Sequence, residues 1–153
     1  MRGYLGMKIS TKGRYALRML VDISIHQADG YIALKTIAER QEISKKYLEQ
    51  IVPILNRGGF LITNRGYQGG YRLSRAPEDI TVGEILKLTE GSVAPVSCIQ
   101  NGTGPVNCNR SADCPTLPVW LGLSKVINDY LNSITLRDVV DQSVALGSDD
   151  YVI

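Results

Sequence analysis

Three cysteines, Cys98, Cys108 and Cys114, crowd into one stretch of a 153-residue chain that has a single histidine. Thiolates are soft, charged ligands. Three of them on a Gly- and Pro-bearing stretch can wrap an iron–sulfur cluster and leave one iron position to another donor. Zinc is the competing metal, but it usually takes four Cys or His ligands, often as close C-x-x-C pairs, and this stretch has neither. Reduced thiols without a metal, or a redox switch, are the third option. An odd number of cysteines in one place argues against a disulfide framework. No C-x-x-C, no Cys–His pairing and no Gly-rich phosphate loop supports thiol catalysis, so an enzyme is not expected.

The elements on either side must position these thiols. Residues 91–115 read as one loop containing Pro95, Gly102, Gly104 and Pro105. A loop that long is usually functional or disordered, and the cysteines favour function. Before it, residues 81–90 pattern as a helix that buries Val82, Ile85, Leu86 and Leu88. After it, Thr116 or Asp113 can cap a helix running to about residue 133. Trp120, Leu123, Ile127, Tyr130, Leu131 and Ile134 give that helix a continuous apolar seam. The front half has a core of its own, so the seam is expected to face its twin in a homodimer. Residues 135–142 form a short final helix, and the tail after Gly147 is expected to fray.

The front half is built on residues 43–73. Ser44 is a good N-cap, since its hydroxyl can accept from an orphan amide of the first turn. Tyr47, Leu48, Ile51, Ile54 and Leu55 recur at three- and four-residue spacing, one apolar face of a helix. Lys45, Lys46, Glu49 and Gln50 fall on the other side, and Gly58-Gly59 stops the helix. Pro53 deletes an amide inside it, which predicts a bend or an early end. Residues 60–63 and 71–73 are strand-like and flank the tip from Asn64 to Gly70. A polar helix face beside an Arg-bearing hairpin is the layout of a winged helix-turn-helix. The helix enters a major groove, and the wing tip reaches the backbone or minor groove.

Lys45, Lys46, Tyr47, Glu49 and Gln50 can therefore reach base edges or phosphates. Gln pairs well with adenine, and an acid accepts from cytosine N4. Tyr47 also fits a core position with only its hydroxyl outside. At the wing tip, Arg65 and Tyr67 are the expected contacts; Arg65 suits a narrow minor groove, and the glycines beside it let the backbone approach closely.

The first helix, residues 10–27, has a broad apolar stripe of Tyr15, Leu17, Leu20, Val21, Ile23 and Ile25. Its start carries Lys8, Ser10, Lys12 and Arg14, a candidate phosphate clamp. His26, near its end, reads as a dipole partner or surface residue. Residues 33–40 form a short helix with Leu34, Ile37 and Ala38 inward, 41–43 the tight turn, and 75–79 a linker.

Net charge is only +2, yet it is unevenly placed. Residues 1–75 carry 13 Lys and Arg against 5 Asp and Glu, a net of +8; residues 76–153 carry 4 against 10, a net of −6. A basic half beside an acidic half suits a polyanion-binding head with a non-binding arm. The apolar fraction of 44% can supply a core. No apolar run approaches the ~20 residues that span a bilayer, and no secretory signal precedes the first helix, so a cytoplasmic protein with no membrane partner is expected. Helical patterning begins only after Met7, so residues 1–6 read as an upstream start. The expected class is mainly α: a winged helix-turn-helix head with a small two-stranded β wing over 7–80, a helix, cysteine loop and long dimerisation helix over 81–140, and a tail over 141–153.

The segments MKISTKGRYALRML, SKKYLEQIVPILNRGGFL, NRGYQGGYRLSR, ITVGEIL and CPTLPVWLGLSKVINDYLNSITLRDVV resemble the bacterial regulators of the IscR, NsrR and CymR type, the Rrf-two family. KGRYAL, YLEQ and the GGY of the wing are the most specific of these. The resemblance covers nearly the whole chain from Met7 to about Val140. It implies a homodimer that binds a palindromic or pseudo-palindromic double-stranded DNA operator. It also implies an iron–sulfur cluster, [2Fe-2S] or [4Fe-4S], on three cysteines, as in IscR- and NsrR-like members. Here those are Cys98, Cys108 and Cys114, and Glu49 matches a position implicated in discriminating between operators. CymR-like members lack the cysteines and respond through a partner enzyme. The alternative implied is thus a regulator of the same fold without a cluster, answering to a metabolite, thiol oxidation or a partner protein. This chain departs from the cluster-binding pattern at three points. Nine residues separate the first two cysteines, more than in IscR. Leu117 stands where IscR has a histidine ligand, and Arg14 where NsrR-like chains supply an aspartate.

Overall fold

The computed structural model describes residues 8–99 and 108–149. The expected upstream start, Gly102, Gly104, Pro105 and the last four residues lie outside them. Helix α1 (Thr11–His26) begins where the Ser10 hydroxyl accepts from Gly13 N at 3.1 Å. Helix α2 (Leu34–Gln41) ends on Glu42, which takes the left-handed conformation at φ 54° and turns the chain into α3 (Lys45–Arg57). Ser44 caps α3 as its type demands, accepting from Tyr47 N at 3.1 Å.

Strands β1 (Leu61–Asn64) and β2 (Gly70–Leu73) pair antiparallel, with Leu61 opposite Leu73 and Asn64 opposite Gly70. A 3-10 turn, Pro77–Asp79, interrupts the expected linker. Helix α4 (Val82–Glu90) opens on a full capping box between Thr81 and Glu84. Helices α5 (Leu117–Ser133) and α6 (Leu136–Asp149) follow.

Pro53 does not end α3; the helix runs four residues further. The carbonyl deprived of a partner is that of Glu49, on the exposed face, where water can satisfy it. Helix α6 is longer than its pattern suggested. Thr135 and Asp138 cap its start reciprocally, Leu136 and Val140 bury, and it passes through Gly147.

The main core joins Met19, Leu20 and Ile23 of α1, Ile37 of α2 and Leu48, Ile51 and Leu55 of α3, all fully buried. It also takes in Ile80, Ile85 and Leu136. The expected boundary at residue 80 therefore runs through one hydrophobic core. Backbone bonds from Val82 N to Ile134 O and from Leu136 N to Ile80 O tie the entry of α4 to the exit of α5.

Candidate nucleic-acid interface and thiol segment

The solvent side of α3 carries Lys45, Lys46, Glu49 and Gln50, all exposed, because Leu48, Ile51, Val52 and Leu55 occupy the inward side. Lys45 Nζ lies 3.8 Å from Glu49 Oε1, an exposed i,i+4 pair of little energetic weight that a duplex can displace. Tyr47 is half-buried, its ring set edge-on to Tyr15 at 5.5 Å between centroids. It packs against the core, as the second of its two readings has it.

Between α3, the start of α2 and the wing runs an open groove of about 670 Å³, lined among others by Lys35, Lys45, Glu49, Pro53, Asn56 and Arg65. Lys35 is a cation that the sequence reading passed over. It sits on the first turn of α2, and only the packing brings that turn beside the wing.

Close backbone contact holds the wing in place. Ile32 N donates to Tyr71 O at 3.0 Å and Tyr71 N to Ile32 O at 2.9 Å, so β2 is also paired to the segment entering α2. A methyl on Gly70 would run into the Ile32 carbonyl, and one on Gly69 would lie 2.5 Å from Asn64 O. Both glycines of the GGY run are thus required by approach of backbone to backbone. Arg65 and Tyr67 are both exposed at the tip.

At the start of α1, Lys8 is exposed and Lys12 half-buried. Ser10 is otherwise engaged than the clamp reading expected. Its hydroxyl donates to Glu90 Oε1 at 2.6 Å while accepting from Gly13 N, and its backbone N donates to the same oxygen at 3.1 Å. A carboxylate already sits at this helix N-terminus, so Ser10 is a cap joining α1 to the end of α4. Gly13 is buried, and a methyl there would run into the Glu90 carboxylate and the Thr89 hydroxyl.

Asp22 was also missed. It is 1% exposed on α1, held by Arg40 (Nη2 to Oδ1 2.6 Å, Nε to Oδ2 3.0 Å) and by Gln41 Nε2 at 2.9 Å. The hydrogen bond to Asp22, and its charge, raise the Arg40 pKa above its ordinary value. His26 Nδ1 lies 2.9 Å from the Asp22 carbonyl oxygen, a local tie at the end of α1. An acid inside an otherwise apolar stripe was the available signal; its partner stands 18 residues away.

All three cysteines are free thiols: Cys98 and Cys114 half-buried, Cys108 exposed. Cys98 follows α4 beside the fully buried Ile99, and Cys114 precedes α5. Thr116 does not cap α5 through its side chain; its hydroxyl lies 3.4 Å from Cys114 Sγ. That contact, the Thr116 and Leu117 amides and the Arg110 charge hold the Cys114 thiol below its usual pKa. The donor chemistry fits a thiolate-ligated metal. Among the described residues, no three Cys, His, Asp or Glu side chains are already gathered to hold an ion.

The apolar seam of α5 divides. Ile127, Leu131 and Ile134 are half-buried against Val82, Leu86 and Val93, on the chain's own side. Gly83 allows this, since a methyl there would meet the Asn132 side chain. Trp120 is half-buried. The stripe left outside is Val119 (59% exposed), Leu123 (42%), Val126 (65%) and Tyr130 (63%), so only Leu123 and Tyr130 of the expected set belong to it. The periodicity could not choose between these faces, because α4 claims one of them only in the folded chain.

Comparison with known proteins bears on both features. The model of the Rrf2 family, described as iron-dependent transcriptional regulators, matches residues 9–142. The chain is a member of the Rrf2 family. It is 38% identical over 134 residues to protein rrf2 of Nitratidesulfovibrio vulgaris, covering 88% of this chain and 87% of that one. It is 36% identical to the HTH-type transcriptional regulator IscR of Erwinia tasmaniensis, covering 92% and 82%. Among solved structures, it is similar to CymR, the global cysteine regulator of B. subtilis, with a TM-score of 0.73, 32% identity and coverage of 88% and 97%. It is also similar to T. potens IscR, with a TM-score of 0.69, 37% identity and coverage of 92% and 91%. This Rrf2 chain is thus a DNA-binding transcriptional regulator of winged-helix fold, not an enzyme. No helix among its described residues is long and apolar enough to cross a membrane.

Proposed function

We propose that this Rrf2 protein is a homodimeric, cytoplasmic regulator whose operator binding is controlled by an iron–sulfur cluster on Cys98, Cys108 and Cys114. The observation that carries this reading is the set of three free thiols, one with a lowered pKa, standing between the helix tied to the reading head and the helix with the exposed apolar stripe. The family description as iron-dependent regulators supports it. When bound, a cluster on three thiolates supplies an iron position open to oxygen, nitric oxide or a further donor. The residues around it have separate roles. Thr116 and the first amides of α5 favour the Cys114 thiolate. Glu90, one residue before the cysteine-bearing segment, holds the start of α1 through Ser10. Val93 packs in the same cluster as Ile9, giving that segment a second hold on the same end of α1.

In the duplex complex, Lys45, Lys46, Glu49 and Gln50 face the major groove, with Tyr47 behind them, while Lys8, Lys12 and Lys35 meet phosphates and Arg65 enters the minor groove. The stripe of Val119, Leu123, Val126 and Tyr130 packs on a second copy, which sets two heads on a two-fold operator. The division of labour is laid over one shared core: 7–80 reads, 81–140 senses and pairs, and 141–153, which takes in the second part of α6, is the tail. A second reading, a regulator of this fold that answers to thiol oxidation, a metabolite or a partner protein, draws on the ungathered described thiols and on the likeness to CymR.

Anaerobic purification with iron, sulfide and zinc quantified separates the two. The expected result is brown protein with iron and sulfide, whose visible absorption Cys108→Ala abolishes. Colourless wild type with stoichiometric zinc, or with no metal after anaerobic reconstitution, overturns the cluster.

A further inference from the structure

Tyr67 is 96% exposed, the most open of the large hydrophobic residues among those described. It is not on a loose end. Gly69 N donates to Gly66 O at 2.9 Å, closing a β-turn with Tyr67 and Gln68 at its apex. Gln68 takes φ 60°, which a non-glycine residue adopts only at some cost. Gly66 takes φ 112°, and Gly69 lies so close to Asn64 O and Gly66 O that the turn has no room for a side chain there. The closed turn thus presents one aromatic ring to solvent.

The surroundings say what that ring meets. From residue 50 to residue 77 the chain has four arginines and no acid; Arg57 ends α3, Arg72 lies over Tyr31 and Arg75 pairs with Glu84, which leaves Arg65 as the charge of the wing tip. Arg65 is two residues from Tyr67 and lines the groove that separates the wing from α3. A cationic, acid-free projection of this kind is suited to a polyanion rather than to an ordinary protein surface. An arginine in the minor groove and an apolar ring wedged against a base step are both means by which proteins bind that groove.

We propose that Tyr67 is a specificity-determining residue of the wing: its ring wedges against a base step in the minor groove, so the protein selects operators whose flanks unstack easily. The proposal rests on the DNA reading above. It predicts a preference for flexible pyrimidine–purine steps such as TA at the flank over stiff A-tracts, at positions that the major-groove helix never touches.

The test uses full-length protein and a duplex recovered from a random pool by the wild type, with 2-aminopurine placed through its flanks. Wild type is expected to raise the 2-aminopurine fluorescence at one flank position. Tyr67→Ala should lose that signal, bind about tenfold more weakly and stop distinguishing a TA step from an A-tract there. Its slope of log affinity against log salt should stay unchanged, because tyrosine displaces no counterion, whereas Arg65→Ala should flatten the slope by about one per wing. Tyr67→Phe should behave as wild type. Tyr67→Ala binding within twofold of wild type, or keeping the fluorescence change, overturns the wedge. Tyr67→Phe failing as badly as Tyr67→Ala overturns it too, since the hydroxyl would then be the contact. If wild type shows no salt-dependent binding to any duplex, the DNA reading itself falls, and this inference with it.

Discussion

Asp22 shows how much one side chain can settle. A carboxylate 1% exposed in a helix interior is costly unless it is paired and hydrogen-bonded, and Arg40 and Gln41 supply both. The pair fixes how α2 lies on α1, and therefore how the turn presents α3. Its two halves differ, because Arg40 is about a third exposed while Asp22 is not. Arg40→Ala leaves a buried carboxylate with reduced support and should cost about 3–5 kcal/mol. Asp22→Ala lets Arg40 return to water and should cost only about 1–3 kcal/mol. Urea unfolding of the two variants checks the order, and a larger loss for Asp22→Ala would refute it. The acid itself was visible in the first helix's stripe. Its partner was not, since nothing in a linear pattern pairs residue 22 with residue 40.

At the scale of elements, the wing is set by backbone rather than by side chains. Its tip was readable from Asn64 to Gly70 because glycine-rich turns have local causes. What the local pattern lacked was the pairing of Tyr71 with Ile32, which aims the hairpin along the groove beside α3. Gly70→Ala puts a methyl into the Ile32 carbonyl, so that pairing must open. The expected outcome is a modest loss of stability, about 1–3 kcal/mol, with weakened duplex binding even though every charged contact is still present. A thermal melt and a duplex titration at fixed salt measure the two effects; unchanged binding would show that the wing tolerates re-aiming. Pro53 teaches the converse. Its rule predicts a break, but the helix is held on its inner side by Leu48, Ile51, Val52 and Leu55, and the lost bond falls on the wet side.

For the molecule as a whole, charge and exposed apolar surface point to two separate partners. The net of +8 over residues 1–75 belongs with the nucleic acid. The stripe on α5 has four-, three- and four-residue steps from Val119 to Tyr130, the spacing of a helix face that packs on another helix. Val126→Asp should shift the solution mass from twice the 16.8 kDa chain toward the single chain. It should also weaken operator binding by at least an order of magnitude, because two half-sites are then no longer read together. Analytical ultracentrifugation and a duplex titration check both, and a wild type that sediments as one chain would remove the dimer. Ile127→Asp should act differently. It faces the chain's own Val82 and Leu86 and should lower the melting temperature rather than merely separate subunits.

The sequence by itself determined what short-range causes control: the cap at Ser44, the glycine-rich wing, the apolar face of the reading helix, the basic and acidic halves, and the family with its three thiols. These depend on residues within a few positions of one another or on composition. Tertiary structure alone decided which side of α5 turns inward, that Ser10 is held by Glu90, that Arg40 meets Asp22, and that Lys35 shares a groove with Arg65. Each of those joins positions 18 to 80 residues apart. Periodicity shows that a face exists; only packing shows what lies against it.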